Sequence, residues 1–227
     1  MTSVARFGKI AKHLGRMGHD PIPIIPGTKA PRPKGWQDGD FADRAHEFEN
    51  DFTALRTRNT PGIDVDVSDP ELVRQIVGIV IDVLGCREID LPARVGNAPR
   101  TLLMCRTDQP FTKQVTATYE LPTDPIVDGK LKRSRVEVLA DGQQFVAYAV
   151  HPDTHQPYRW ITVATPMNTH EWELVTINAA QAAEIIRRCD ALLAKHGKRH
   201  GGSSTTRAVV APPGEIDLQA REDAMRY

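Results

Sequence analysis

The segment Gly62-Ile63-Asp64-Val65-Asp66-Val67-Ser68-Asp69-Pro70-Glu71 carries more structural information than any other stretch of the chain. A strand sends alternate side chains to opposite faces, so Ile63, Val65 and Val67 form an apolar face for burial while Asp64 and Asp66 emerge together on the other. Ser68 or Asp69 then caps a helix, with Pro70 at its first position and Glu71 in its first turn. Leu72, Val73, Ile76, Val77, Val80, Val83 and Leu84 keep the helical beat until Gly85. The pattern is strand, cap, helix, with an acidic pair just ahead of the turn. Two like charges at neighbouring positions on one face are costly unless a cation sits between them. Two hard oxygen ligands on a rigid strand suit Mg²⁺ or Mn²⁺, shared with substrate phosphates. The same pair also reads as an edge strand with a solvated acidic face.

Upstream, Val4, Phe7, Ile10, Ala11, Leu14 and Met17 predict a helix over 3–18, with Gly18 as its stop. Pro21 to Gly27 reads as an extended segment ending in a turn, Thr28 to Gly39 as a stiff basic loop with two prolines, and 41–50 as a short helix. Downstream, strands are predicted over 100–106, 115–121, 134–140, 143–150 and 158–163. Asp141-Gly142 signals a hairpin between the third and fourth of these. A helix is predicted over 178–195, its apolar face including Ala182, Ile186 and Leu193. From Gly197 the composition turns to Gly, Ser, Thr and Pro, which reads as a flexible tail over 197–227 after a core over 1–196.

At 227 residues, 40% hydrophobic and 26% charged, the chain can bury a full core, and the formal net charge of zero excludes a whole-molecule basic field. A nucleic-acid partner would have to be held by local patches. Two exist, Lys130, Lys132, Arg133 and Arg135, and Lys195, His196, Lys198, Arg199 and His200, though each also reads as a solvated loop. Cys86, Cys105 and Cys189 are too scattered for a zinc site or a disulfide framework. No apolar run is long enough to span a bilayer and no signal-peptide core is visible, so a cytoplasmic location without membrane partners is expected.

A third acid strengthens the metal reading. Glu137 alternates with the apolar Val136 and Val138 in a strand that a sheet could bring beside the Asp64–Asp66 strand, although a lone glutamate on a strand commonly faces solvent. Between them, Arg94-Val95-Gly96-Asn97-Ala98-Pro99-Arg100 supplies two arginines around Gly and Pro. Arg100 offers a planar fork for phosphate. Arg94 reads as part of a basic surface loop.

This order of elements resembles the primase-polymerase group of the archaeo-eukaryotic primase superfamily found on phages, plasmids and integrated elements. The likeness covers roughly 5–165. It rests on an opening helix, then Lys29-Ala30-Pro31 with Gly35-Trp36, then Ile63-Asp64-Val65-Asp66, then Val136-Glu137, and last His151-Pro152 followed by Tyr158-Arg159-Trp160. It implies an α+β core, an N-terminal α/β unit joined to a sheet like that of RNA-recognition domains, with the active site between them. It implies a DNA primase or polymerase in which Asp64, Asp66 and Glu137 hold two Mg²⁺ or Mn²⁺ ions. Single-stranded DNA template and NTP or dNTP would be the partners, along with a helicase domain or subunit reached through the tail. Arg100 and Lys29 would grip the triphosphate, and Lys130, Lys132 and Arg133 would contact the template backbone. One departure stands out: the family's second motif ends in a phosphate-contacting histidine, and Asn97-Ala98-Pro99-Arg100 has none. Arg100 or His151 would take that role.

Other readings remain open. An EF-hand fails, because Asp69 stands where Gly is needed and Gln75 where Glu is needed. A sugar-nucleotide glycosyltransferase also uses D-x-D with Mn²⁺. A metal-dependent nuclease lacks the lysine two residues after Glu137 that many such sites use. A non-catalytic nucleotide- or nucleic-acid-binding replication module is a further alternative.

Overall fold

The computed structural model describes residues 4–127 and 129–200. It opens with α1 (Phe7–Arg16), β1 (Pro21–Ile24), a 3-10 turn at Ala45–Phe48, and β2 (Phe52–Arg56). β3 (Gly62–Asp66) leads into α2 (Pro70–Leu84), β4 (Ala93–Val95) and β5 (Thr101–Met104). Four short strands follow: β6 (Gln114–Val115), β7 (Thr118–Glu120), β8 (Ile126–Val127) and β9 (Lys130–Leu131). β10 (Arg135–Leu139), β11 (Gln144–Tyr148), β12 (Arg159–Trp160), α3 (Ala179–His196) and β13 (Lys198–His200) complete a mixed α+β fold. No helix among the described residues is long and apolar enough to cross a membrane.

The Gly62–Glu71 segment folds as read. The Asp69 carboxylate accepts the backbone N–H of Glu71 at 2.9 Å and of Leu72 at 3.0 Å, and Pro70 opens α2. Gly85, at φ 64°, ends the helix in the left-handed conformation that glycine adopts without strain.

A six-stranded sheet of order β12-β4-β5-β3-β10-β6 forms the centre. One face, with Ile63, Val65, Leu103, Val136 and Val138, packs against α2 and α3 through Leu72, Ile76, Val80, Ile185 and Leu193. Each such buried side chain contributes about 1.5–3 kcal/mol. The other face meets a three-stranded sheet, β1-β2-β11, and α1, where Leu102, Met104 and Leu139 touch Ile10, Leu14, Leu55 and Phe145. β5 is therefore buried on both faces, which is why all four of its residues are inaccessible. The second layer covers only part of that face, and the open part holds Asp64 and Asp66.

Several expectations are corrected. The first helix is shorter than 3–18: Arg6 is extended, and the Phe7 N–H donates to Asp51 O at 2.8 Å, which pins the start. The 41–50 helix reduces to its 3-10 turn. Asp141-Gly142 does form a turn, with Gly142 at φ 77°, but the strands it joins do not pair. β10 already has β3 and β6 on its two edges, so β11 goes to β2 in the other sheet. The single strand over 115–121 breaks at Thr116–Ala117, since β6 stays on β10 while β7 pairs with β13. The 158–163 strand keeps only Arg159–Trp160, because Thr162 Oγ1 folds back to accept the Ala93 N–H at 2.9 Å. Finally, the chain does not leave the fold at 197: Lys198, Arg199 and His200 pair with Glu120, Tyr119 and Thr118. The rest of the expected tail, 201–227, lies outside the described residues.

Candidate functional site

β10 runs antiparallel to β3 with Glu137 directly opposite Asp64 and Arg135 opposite Asp66. Directly opposed residues share a face, with Cβ atoms about 4.5–5.5 Å apart. The register thus puts three carboxyl-bearing residues from two distant segments on one face, the one opposite the helices. The same row continues through Leu102 to Arg94, so Arg94, Leu102, Asp64 and Glu137 lie side by side across four strands.

The three acids have different surroundings. Asp66 is paired with Arg100 Nη1 at 3.0 Å, and Arg100 Nη2 also donates to Ser68 Oγ at 3.0 Å. The nearly buried Glu137 carboxylate is held by Lys113 Nζ at 2.6 Å and Arg135 Nη2 at 3.3 Å. Asp64 makes no comparable pair among the described residues. Burial pushes its carboxyl above the usual carboxylate range, the Arg94 charge opposes this, and Asp66 and Glu137 push it further up. Among the described residues no three acid, histidine or cysteine side chains converge as a ready ligand cluster. Glu137 faces its two cations instead of joining the aspartates.

Asp64 and Asp66 open into a cleft of about 200 Å³, which Lys29, Arg94, Arg100, Lys132, His151 and Tyr158 also line. Six of the residues expected from sequence therefore meet in one place: Asp64, Asp66, Lys29, Arg100, Lys132 and His151. Each is delivered differently. Lys29 arrives on the Pro-rich loop, which Gln144 Nε2 holds by donating to Lys29 O at 3.0 Å. Lys132 follows β9 and pairs with Asp153 at 3.7 Å. Glu137 lies outside the cleft lining. Arg133 lines an adjoining hollow of about 250 Å³ that shares Asp66, Arg100 and Lys132 with the cleft. Lys130 sits on the β8–β9 hairpin and lines neither.

His151 is locked by its own loop. Its Nδ1 accepts the backbone N–H groups of Asp153 at 3.1 Å and Thr154 at 3.3 Å, so the ring proton belongs on Nε2. Burial first, then the Lys29 charge, lower its pKa to about 4, leaving it a neutral N–H donor at physiological pH. Gly96 permits the close approach that forms this wall: a Cβ there would collide with Tyr158 Cε1 and stand 2.9 Å from His151 Cδ2. Gly96→Ala is expected to lose about 1–3 kcal/mol of stability through overpacking, checked by urea denaturation, and to displace His151 from the cleft.

Arg94 corrects the sequence reading most. It is not in a surface loop but buried, 8% exposed, on β4. Its Nη1 donates to Val146 O and its guanidinium lies 4.5 Å from the Tyr158 ring centroid. It is the fixed positive charge facing Asp64 in the cross-strand row. The alternation Ala93-Arg94-Val95 is compatible with a strand, but Tyr158 and Val146, which bury it, lie more than fifty residues on.

No protein-family model matches the chain, and no curated protein matches it.

Proposed function

We propose that this chain is a template-directed nucleotidyltransferase of the primase-polymerase kind, making or extending primers on single-stranded DNA. The observation that carries this reading is the Asp64–Glu137 register beside a cleft lined by Lys29, Arg100, Lys132 and His151. Acids and cations gathered in one cleft suit a metal–triphosphate complex. The strand order β10-β3-β5-β4, with α2 following β3 in sequence, supports an RNA-recognition-like sheet as its scaffold.

The donor set fits divalent ions. Asp64 is a partly buried carboxylate whose ionisation is opposed by burial and by two neighbouring acids, a situation a cation relieves. Asp64 and Asp66 would hold the ions, and Glu137 would join them by exchanging its contact with Lys113. Bound Mg²⁺ or Mn²⁺ would supply Lewis-acid stabilisation of the α-phosphate and a more acidic primer 3′-hydroxyl. In the reaction the 3′-oxygen bonds to the α-phosphorus as the bond to pyrophosphate breaks. Arg100, Lys29 and Lys132 would neutralise the triphosphate, and a nucleotide would draw Arg100 away from Asp66. His151 Nε2–H would donate to a phosphate oxygen, filling the place of the family's second-motif histidine without carrying charge. Arg133, in the hollow next to the cleft, and Lys130 beyond it would meet the template backbone.

The test is a gel of products made on single-stranded DNA with each nucleotide type, with and without a primer, in Mg²⁺ or Mn²⁺. Metal-dependent products are expected from the native chain and none from Asp66→Ala. The pairing of Glu137 with Lys113 and Arg135 favours one second reading, a nucleotide-binding module without chemistry. Metal-dependent nucleotide binding by calorimetry, with no product under any condition, would establish that reading instead.

A further inference from the structure

We infer that a second groove, separate from the acid-lined cleft, binds the backbone of a single-stranded polynucleotide. The groove encloses about 840 Å³ between the start of α1, the start of β2 and the hairpin 150–159. Arg6, Lys9, His155 and Arg159 bring basic groups to it, while Val4 and Pro157 are among its apolar lining, and among the described residues no Asp or Glu lines it. Neither Lys9 nor Arg159 has a carboxylate partner within ion-pair distance among the described residues, although the whole chain is formally neutral. The Arg6 guanidinium carbon lies 4.2 Å from the Phe52 ring centroid and its Nη1 donates to Asn50 O at 3.0 Å, which fixes a cation on the groove wall.

The first turn of α1 makes this arrangement unfavourable in isolation. Arg6 is the N-cap and makes no side-chain cap bond, Lys9 lies in the first turn, and no acid is present there. Helix N-termini favour anions, and cations at these positions oppose the helix dipole. An anion in the groove reverses the sign of that interaction and meets Arg159 from the opposite wall. At the hairpin tip, His155 adopts φ 54°, a left-handed conformation unusual for a residue with a side chain, and lines the groove.

A polynucleotide fits better than a single small anion because the cations are spread over separate walls of a large groove with apolar surface between them. Basic tracks with planar and apolar contacts are how proteins hold single strands without reading sequence. The hairpin that forms one wall carries His151 and Tyr158 on the cleft side. A strand held here therefore runs one hairpin's thickness from the acids. The inference stands apart from the nucleotidyl-transfer reading, since it needs neither metal nor nucleotide.

The experiment is fluorescence anisotropy of a labelled dT20 oligonucleotide with the full chain, without metal or nucleotide, over a range of salt. Lys9→Gln/Arg159→Gln is expected to weaken binding roughly tenfold and to lower the salt slope by about 1.4, at about 0.7 for each phosphate that is no longer neutralised. Lys9→Arg/Arg159→Lys should restore both, and Arg74→Gln, on the exposed face of α2, should change neither. Unchanged affinity and slope in a Lys9→Gln/Arg159→Gln protein with native circular dichroism would overturn the inference. So would mole-for-mole displacement of dT20 by inorganic tripolyphosphate, which would mark a small-anion site. Because Asp64 takes no part, a failure here leaves the cleft's chemistry untouched, and an inactive cleft leaves this binding untouched.

Discussion

Asp64→Asn is expected to abolish primer synthesis, by on the order of 10³-fold or more, while raising the melting temperature at neutral pH. On the proposed reading, the activity loss follows from removing a charged metal ligand, whose contribution to the transition state would be several kcal/mol. The stability gain has a separate cause. Burial and the neighbouring acids hold the Asp64 carboxyl above its usual range. The folded state therefore keeps its proton to higher pH than the unfolded state does, so stability falls as pH rises through this interval. The cost is complete above the folded pKa and absent below the ordinary value of 3.8. The advantage of Asn should accordingly be present at pH 7 and vanish as pH drops towards 4, read by thermal melts across that range. On the same reading, Mn²⁺ should raise the melting temperature of the native chain and not that of the variant, because the asparagine would offer the ion no charged ligand. An Asp64→Asn protein that still extends primers, or that melts lower at pH 7, would refute the role given to this residue.

Arg94→Met should destabilise the fold by about 3 kcal/mol, the largest loss expected from any single charge in the site. Two effects compete. Burial disfavours the guanidinium and lowers its pKa, and Met would fill much of the same volume without that penalty. Against this stand the charged hydrogen bond to Val146 O, the stacking on Tyr158, and the opposition to Asp64's unfavourable ionisation. Removing Arg94 leaves the buried Val146 carbonyl without its charged donor and takes from Asp64 the neighbouring charge that most opposes its unfavourable ionisation, so the loss wins. The double variant Arg94→Met/Asp64→Asn should therefore recover a large part of the stability in urea titrations. Strict additivity of the two changes would show that the residues do not interact.

What can be read in the sequence is what local chemistry decides. Asp69-Pro70 fixes the start of α2 and Gly85 its end through bonds and dihedrals within a few residues, so both are legible. The alternation of Ile63, Val65 and Val67 with Asp64 and Asp66 sets the two faces of β3, and the helices cover the apolar one. Asp141-Gly142 shows the limit of such signals. A turn sequence specifies a reversal of direction, not which strands pair afterwards, and the occupied edges of β10 decide that. Arg94 escapes a local reading because its burial depends on Tyr158 and Val146, residues supplied by later parts of the chain. Lys198–His200 reads as tail because glycine-rich composition follows it, yet three residues suffice for β13 when β7 has an edge to offer. The gathering of Lys29, Arg100 and His151 beside the aspartates is expected from a resemblance between ordered motifs and not from any single residue pattern, whereas Lys132, expected at the template backbone, lines the same cleft.

The Asp64–Glu137 contact joins points some seventy residues apart. Closing a flexible loop of that length has an entropic cost of about 4 kcal/mol, which the local bonds of α2 do nothing to offset. A chain emerging from the ribosome therefore carries its two aspartates long before their partner strand exists, and until then one edge of β3 lacks its neighbour. Any property that needs all three acids together is withheld from every partly synthesised copy, and the exposed edge makes the waiting period the stage most vulnerable to aggregation.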